Sequence, residues 1–154
     1  KNKFFKIHKS YKAQIQNEKK FKLDKFSSCI TFKKNVNDVK KKLQQIFYKI
    51  KKDNKKIIGY GASAKAVTVL NFCELKEEFV DYFLDTTKNK VGKFLPGTKI
   101  KVKKYSSKLI DQRNFYFLGA WNFKEEIINK EKNFLKNGGK FISHLPKPHI
   151  FGSK

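Results

Sequence analysis

Residues Lys56–Asn71 read KIIGYGASAKAVTVLN, and they decide the fold. An apolar pair, Ile57 and Ile58, runs into Gly59-Tyr60-Gly61; Ala62, Ser63, Ala64 and Lys65 follow, then apolar residues at helical spacing. This is the layout of a strand, a tight glycine turn and a helix whose N-terminus points at a ligand. Glycine belongs where a turn needs positive φ or where backbone approaches a ligand closely. The unpaired N–H groups of a first helical turn, with the helix dipole, favour an anion such as phosphate. The spacing G-x-G-x-x-A, with Ala64 as the third small residue, fits a dinucleotide-binding fingerprint, and Asp85 stands where that fingerprint places its ribose-binding acid. The same turn also serves simply to pack a helix on a sheet.

Outward from this unit the pattern alternates. A helix is predicted from Asn37, because Val36, Val39, Leu43, Ile46, Phe47 and Ile50 recur at steps of three and four; Asn37 or Asp38 caps it and Asp53-Asn54 end it. Its lysines fall mostly off the apolar stripe, as on a solvated face. After Ile57–Tyr60 come a helix near 63–72, a strand at 79–84, a loop with Pro96-Gly97 and a strand at 99–102. A short helix near 106–111, a strand at 115–118, a helix over 123–136 and a last strand at 140–144 complete the chain. Asn122 with Glu125 makes a capping-box pattern, and Gly138-Gly139 a helix stop. Alternating strands and helices imply an α/β fold: a doubly wound, mainly parallel sheet of about five strands with flanking helices, preceded by an amphipathic helix. Strand order 3-2-1-4-5 places Gly59–Gly61 at the switch point, where such sheets bind ligands.

The 154 residues suffice for one domain with a real core. The chain starts at Lys1 and holds no Met, which predicts a fragment or an excised domain. Residues 1–27 are basic without sustained period, and residues 1–35 read as a linker or the tail of a preceding domain. The net charge is +24, with +15 of it in residues 1–56. Such charge first suggests nucleic acid, but Arg113 is the only arginine among 37 basic residues. Base-reading proteins favour arginine's planar fork. The wealth of Lys, Asn, Ile and Phe reads as the imprint of a low-GC genome, so no specific nucleic-acid partner is expected. Cys29 and Cys73 are too few for a disulfide framework or zinc site, which predicts reduced thiols in a cytoplasmic protein. No stretch approaches the ~20 apolar residues of a membrane span, and no signal peptide is evident.

Several stretches together resemble one family. GYGASAKAVTVLNF (59–72), VDYFLDTTKNKVGKFLPGTKIKV (80–102), LGAWNFKEEI (118–127) and GGKFI (138–142) look like the Rossmann-like C-terminal domain of S-adenosylmethionine (SAM)-dependent C-methyltransferases that act on nucleoside diphosphate sugars. The resemblance runs from about Val36 to Pro148, and residues 36–154 are assigned to that domain. It implies a zinc-binding domain and a SAM-binding domain earlier in the polypeptide, with the nucleotide-sugar between the last two domains. SAM would serve the full-length enzyme, and no cofactor is expected on this domain. The proton-abstracting base would lie in the middle domain, so no catalytic residue carries over. The isolated chain is expected to be inactive, and no metal ligands are assigned. A free-standing NAD(P)-binding domain is the competing reading.

The candidate substrate-binding residues follow from both lines. Gly59, Gly61 and Ala62 would turn backbone N–H groups to a diphosphate, Ser63 would donate a hydroxyl and Lys65 would supply charge. Tyr60 either stacks on a base or sugar or plugs the sheet edge. Asp85 either accepts from a ribose hydroxyl or caps the loop after it. The long loop 88–98 contributes Lys90, Pro96, Gly97 and Thr98, because long loops on the ligand edge are often functional. Trp121 packs or lines the cleft, and Asn122 caps its helix. Glu125 and Glu126 complement a helix dipole rather than form a catalytic pair, since adjacent helical residues do not face each other. His8, His144 and His149 are expected to be structural or exposed.

Overall fold

The computed structural model describes residues 9–152. The chain forms two units, Lys1–Asp38 and Val39–Lys154. In the first, α1 (Lys9–Lys20) turns into α2 (Phe26–Lys52), which continues into the second. The helix expected at Asn37 thus begins at Phe26, and Asn37 and Asp38 lie in its interior rather than at its cap. Cys29 and Phe32 extend the same three-four spacing backward from Val36, so the periodicity reaches further toward the N-terminus than the predicted start. Residues 9–20 form α1 despite their weak period, because Lys, Ala, Gln and Glu favour helix intrinsically. Asn54 does end α2: at φ +53° it lets the Lys55 N–H reach Ile50 O at 3.1 Å.

The second unit is a six-stranded sheet in the order β3-β2-β1-β4-β5-β6. Its strands are β1 (Ile57–Tyr60), β2 (Phe83–Asp85), β3 (Val102–Lys104), β4 (Phe115–Leu118), β5 (Lys140–Ser143) and β6 (His149–Gly152). The first five are parallel in the expected order. β6 is an addition: it runs antiparallel to β5, pairing Phe141 with Phe151. β2 and β3 start later than expected. Val80 is buried without entering the ladder, and residues 92–95 fold back on 100–102 through Val102 N–H to Lys93 O and Leu95 N–H to Ile100 O, both 2.8 Å.

The residues of β1 and β2 are buried on both faces, as inner strands of a parallel sheet require. On one face Ile57, Phe83, Phe117 and Ile142 pack beneath Leu43, Phe47 and Ile50 of α2 and Ala66 and Leu70 of α3 (Ala64–Phe72). On the other, Ile58, Leu84, Tyr116 and Phe141 meet Ile127 of α4 (Lys124–Lys130) and Phe134 of α5 (Lys132–Lys136). The single helix expected over 123–136 is therefore two, broken at Glu131. Gly138, at φ +84°, ends α5 as anticipated.

Candidate functional site

The glycine turn is built as expected and wired differently. Gly61 takes φ +81° and its N–H donates to Leu84 O at 2.8 Å. The Gly59 N–H stays in the sheet, donating to Tyr82 O at 2.8 Å. Gly59 is glycine for space, since a Cβ there would lie 2.4 Å from the Phe83 ring. Neither glycine N–H is thus turned to a ligand. Ser63 caps α3: its Oγ accepts the Ala66 N–H at 3.1 Å and donates to Gly119 O at 2.7 Å. Its hydroxyl proton is thereby committed within the chain. Among the described residues, the first-turn N–H groups of α3 that donate to no protein acceptor are those of Ala64 and Lys65.

Asp85, buried at the end of β2, closes this circuit. Its Oδ2 accepts the Ala62 N–H at 2.7 Å, its Oδ1 accepts the Thr87 N–H at 2.8 Å, and Lys90 Nζ stands 3.5 Å away. A carboxylate of the chain itself thus sits on the Ala62 N–H that the fingerprint offers to phosphate, and it braces the β1–α3 turn against the β2 loop. Burial pushes the Asp85 carboxyl up, but the Thr87 and Ala62 donors and the Lys90 charge outweigh it and hold it below its ordinary value. The resulting stabilisation is present above the unfolded value of about 3.9 and is lost as pH falls through the lower folded value. Asp85→Asn should therefore cost about 1.5–3 kcal/mol at pH 7, and its gap from wild type should narrow as pH falls below about 3.9. Urea unfolding across that range measures this; a gap that stays constant into acid contradicts it.

At the C-terminal edges of β1, β2 and β4 a cleft of about 350 Å³ opens. Tyr60, Leu84 and Ile127 line its apolar part, and Thr86, Thr87, Lys90, Glu126 and Lys130 bring polar groups. Tyr60 is buried and plugs the sheet edge. Its hydroxyl donates to Glu131 Oε1 at 2.8 Å, and Tyr105 donates to the same oxygen. Burial first, then Glu131, pushes the Tyr60 hydroxyl far up and that of Tyr105 up to about 12, so both stay protonated donors. Lys130 Nζ lies 3.4 Å from the Tyr105 ring centroid. A second cavity of about 290 Å³ flanks the start of α3, between Ala62, Ala64 and Val67 on one side and Lys90, Lys93 and Pro96 on the other.

The remaining expected residues divide. Lys65 is exposed, with Nζ 5.6 Å from the ring centroid of half-buried Trp121, and Trp121 meets His144 edge-on at 6.4 Å. Gly97 and Thr98 line neither cavity. They form a turn in which Thr98 Oγ1 donates to Leu95 O, and Asn71 on the last turn of α3 donates to Pro96 O at 3.0 Å. Asn122 is exposed inside a 3₁₀ turn, Trp121–Phe123, and makes no capping bond; Phe123 stands at the N-cap of α4. The expected capping box is absent because the Phe123 N–H closes the tighter turn on Ala120 O at 2.9 Å. Glu125 and Glu126 do lie in the first turn of α4. His144 is buried, its Nδ1 has no partner among the described residues, and burial pushes its pKa down. His149 bonds Lys147 O, and His8 lies outside the described residues.

Thr86, Thr87, Tyr105, Lys130 and Glu131 were not singled out by the sequence reading. Thr86 and Thr87 could have been, since they directly follow a strand on the ligand edge. Glu131 carried a fainter signal: it lies four residues after Ile127, in phase with the buried side of α4. No group of His, Cys, Asp or Glu suited to a metal ion occurs among the described residues.

Comparison with known proteins agrees with this architecture. Residues 2–146 match the model of the C-methyltransferase C-terminal domain. The chain is also 34% identical, over 116 residues, to the C-methyltransferase NovU of Streptomyces niveus. That alignment takes in 75% of this chain and 28% of the relative's length. A match over nearly the whole chain, on a sheet of the expected order, makes this protein a member of the C-methyltransferase C-terminal domain family.

Proposed function

We propose that this domain holds a nucleoside diphosphate sugar for a SAM-dependent C-methyltransferase, and that the cleft above β1, β2 and β4 is where it does so. The observation that carries the reading is the pairing of two ammonium groups, Lys90 and Lys130, with Thr86 and Thr87 over an apolar and aromatic floor. Lysines and hydroxyls suit a diphosphate, and the floor of Tyr60, Leu84 and Ile127 suits a deoxysugar face. Lys65 and Trp121, which line neither cavity but stand together with Nζ 5.6 Å from the ring centroid, remain candidates for the nucleotide end. Gly97 and Thr98 serve the reading indirectly, by setting the loop that carries Lys90.

SAM supplies the methyl group when bound to the methyltransferase portion. The residues of this chain do not fit it: the glycine turn assigned above has its Ala62 N–H taken by Asp85. The same bond speaks against the NAD(P) reading, because the acid needed for a ribose hydroxyl is turned inward. The domain's task is to bind and orient, and the isolated chain should transfer no methyl group. No described helix is long and apolar enough to cross a membrane, and we place the protein in the cytoplasm without a nucleic-acid partner.

Calorimetric titration with dTDP-glucose, UDP-glucose and NADH tests the reading. A nucleotide-sugar should bind more tightly than NADH, and Lys130→Ala or Lys90→Ala should each weaken it about tenfold, or about 1.4 kcal/mol. Tighter NADH binding, or lysine variants with unchanged affinity, would overturn it.

A further inference from the structure

The two lysines of the cleft are held differently. Lys90 stands 3.5 Å from Asp85, whereas Lys130 makes no ion pair among the described residues. What Lys130 meets instead is an aromatic face, with Nζ over the Tyr105 ring and 3.4 Å from its centroid. The ring quadrupole attracts a cation there without neutralising it. An ion pair would offset the charge that a diphosphate needs; a ring leaves that charge available.

Tyr105 is itself held at few points. It follows β3, and its N–H donates to Asp85 O at 3.0 Å, which fixes its backbone. The side chain is half-buried and borders two hollows: the cleft, and a third cavity of about 270 Å³ edged by Ser107, Gln112, Asn133 and Asn137. Lys130 borders both as well. Close packing fixes most rings of a core, but a ring beside open space depends on its hydroxyl. That hydroxyl donates to Glu131 Oε1, which also accepts the Tyr60 hydroxyl at 2.8 Å. The Tyr60 and Tyr105 rings meet edge-on, with centroids 5.6 Å apart. Glu131 is only 5% exposed, so the anchor of the set lies inside the fold. Donation to a carboxylate polarises the phenol as well, which strengthens the ring's pull on Lys130.

We propose that Tyr105 and Glu131 are positioning residues for diphosphate binding: Glu131 fixes the Tyr105 ring, and the ring keeps the Lys130 ammonium at the cleft rather than in the third cavity. The inference rests on the function proposed above. Calorimetric titration with dTDP-glucose tests it, on variants whose unfolding midpoints are measured alongside. Tyr105→Leu removes the ring and should weaken binding about fivefold. Tyr105→Phe keeps the ring without its hydroxyl, Glu131→Gln keeps an acceptor without its charge, and each should weaken binding about twofold. In a Lys130→Ala background all three changes should have no further effect, because the group they position is gone. Losses that persist there, whether from a structural fault or from direct contact of Tyr105 with the ligand, overturn the proposal. The ligand-free chain gives an independent readout. The Lys130 Hε proton resonances should lie upfield under the Tyr105 ring current and return toward ordinary positions in Tyr105→Leu; resonances indifferent to that change overturn the proposal too. A wild-type chain with no affinity for dTDP-glucose sinks the proposed function and this inference with it. Wild-type affinity with additive losses sinks this inference alone.

Discussion

Gly61→Val should lower stability by about 2–4 kcal/mol, and a variant that still folds should have lost ligand binding. Two penalties combine. At φ +81° a β-branched residue is a genuine outlier costing about 1–2 kcal/mol. A Cβ at Gly61 would also stand 2.6 Å from Ala120 Cβ and 3.2 Å from Ala120 N, and overpacking of that kind costs about 1–3 kcal/mol. From sequence alone the same change is expected to spare the fold, since the side chain would merely fill phosphate space. The Ala120 contact alters that expectation. Gly92 is the control: it has φ +85° and an added Cβ would meet no neighbour within 4 Å, so Gly92→Val feels the backbone term without the Ala120 contact. Urea denaturation of both variants measures the difference. Equal losses at the two positions would show that Ala120 yields.

The second large effect is expected at Glu131. Glu131→Ala removes the acceptor of both the Tyr60 and Tyr105 hydroxyls, and Tyr60 is buried. An unsatisfied buried donor costs about 1–3 kcal/mol and a bond to a charged group contributes about 1.5–3 kcal/mol, so a loss of about 3 kcal/mol is expected. Glu131→Gln keeps an acceptor oxygen and should lose about 1 kcal/mol. Tyr60→Phe should cost less in the Glu131→Ala background than in wild type, because the bond is already gone. Additive losses in that cycle would mean that the two side chains act independently.

What could be read from the chain was what local chemistry dictates. The strand–glycine–helix unit announces itself because positive φ at Gly61 depends on neighbours in sequence, whereas Ser63, read as a donor to a diphosphate, caps α3 instead. The order of five parallel strands follows from alternation and right-handed crossovers. β6 was invisible because His149–Gly152 is short, follows two prolines and gains its ladder from β5 alone. Glu131 was hidden for a related reason. Its partners, Tyr60 and Tyr105, are distant in sequence, and nothing beside it distinguishes it from Glu125 or Glu126. The inward turn of Asp85 onto Ala62 is also a tertiary choice, between two roles that the spacing leaves equally open. Asn122 shows the converse error, a local capping pattern overridden by a tighter 3₁₀ turn.

The most direct test of the account is the location of the ligand. Amide chemical-shift mapping of the full chain during titration with dTDP-glucose should perturb Thr86, Thr87, Lys90 and Lys130 most strongly, with Ala64 and Lys65 next. Glu131→Gln should leave that pattern in place. Perturbations centred instead on Val67, Lys93 and Leu95, across the α3 N-terminus, would put the ligand in the other cavity and contradict the assignment of the cleft.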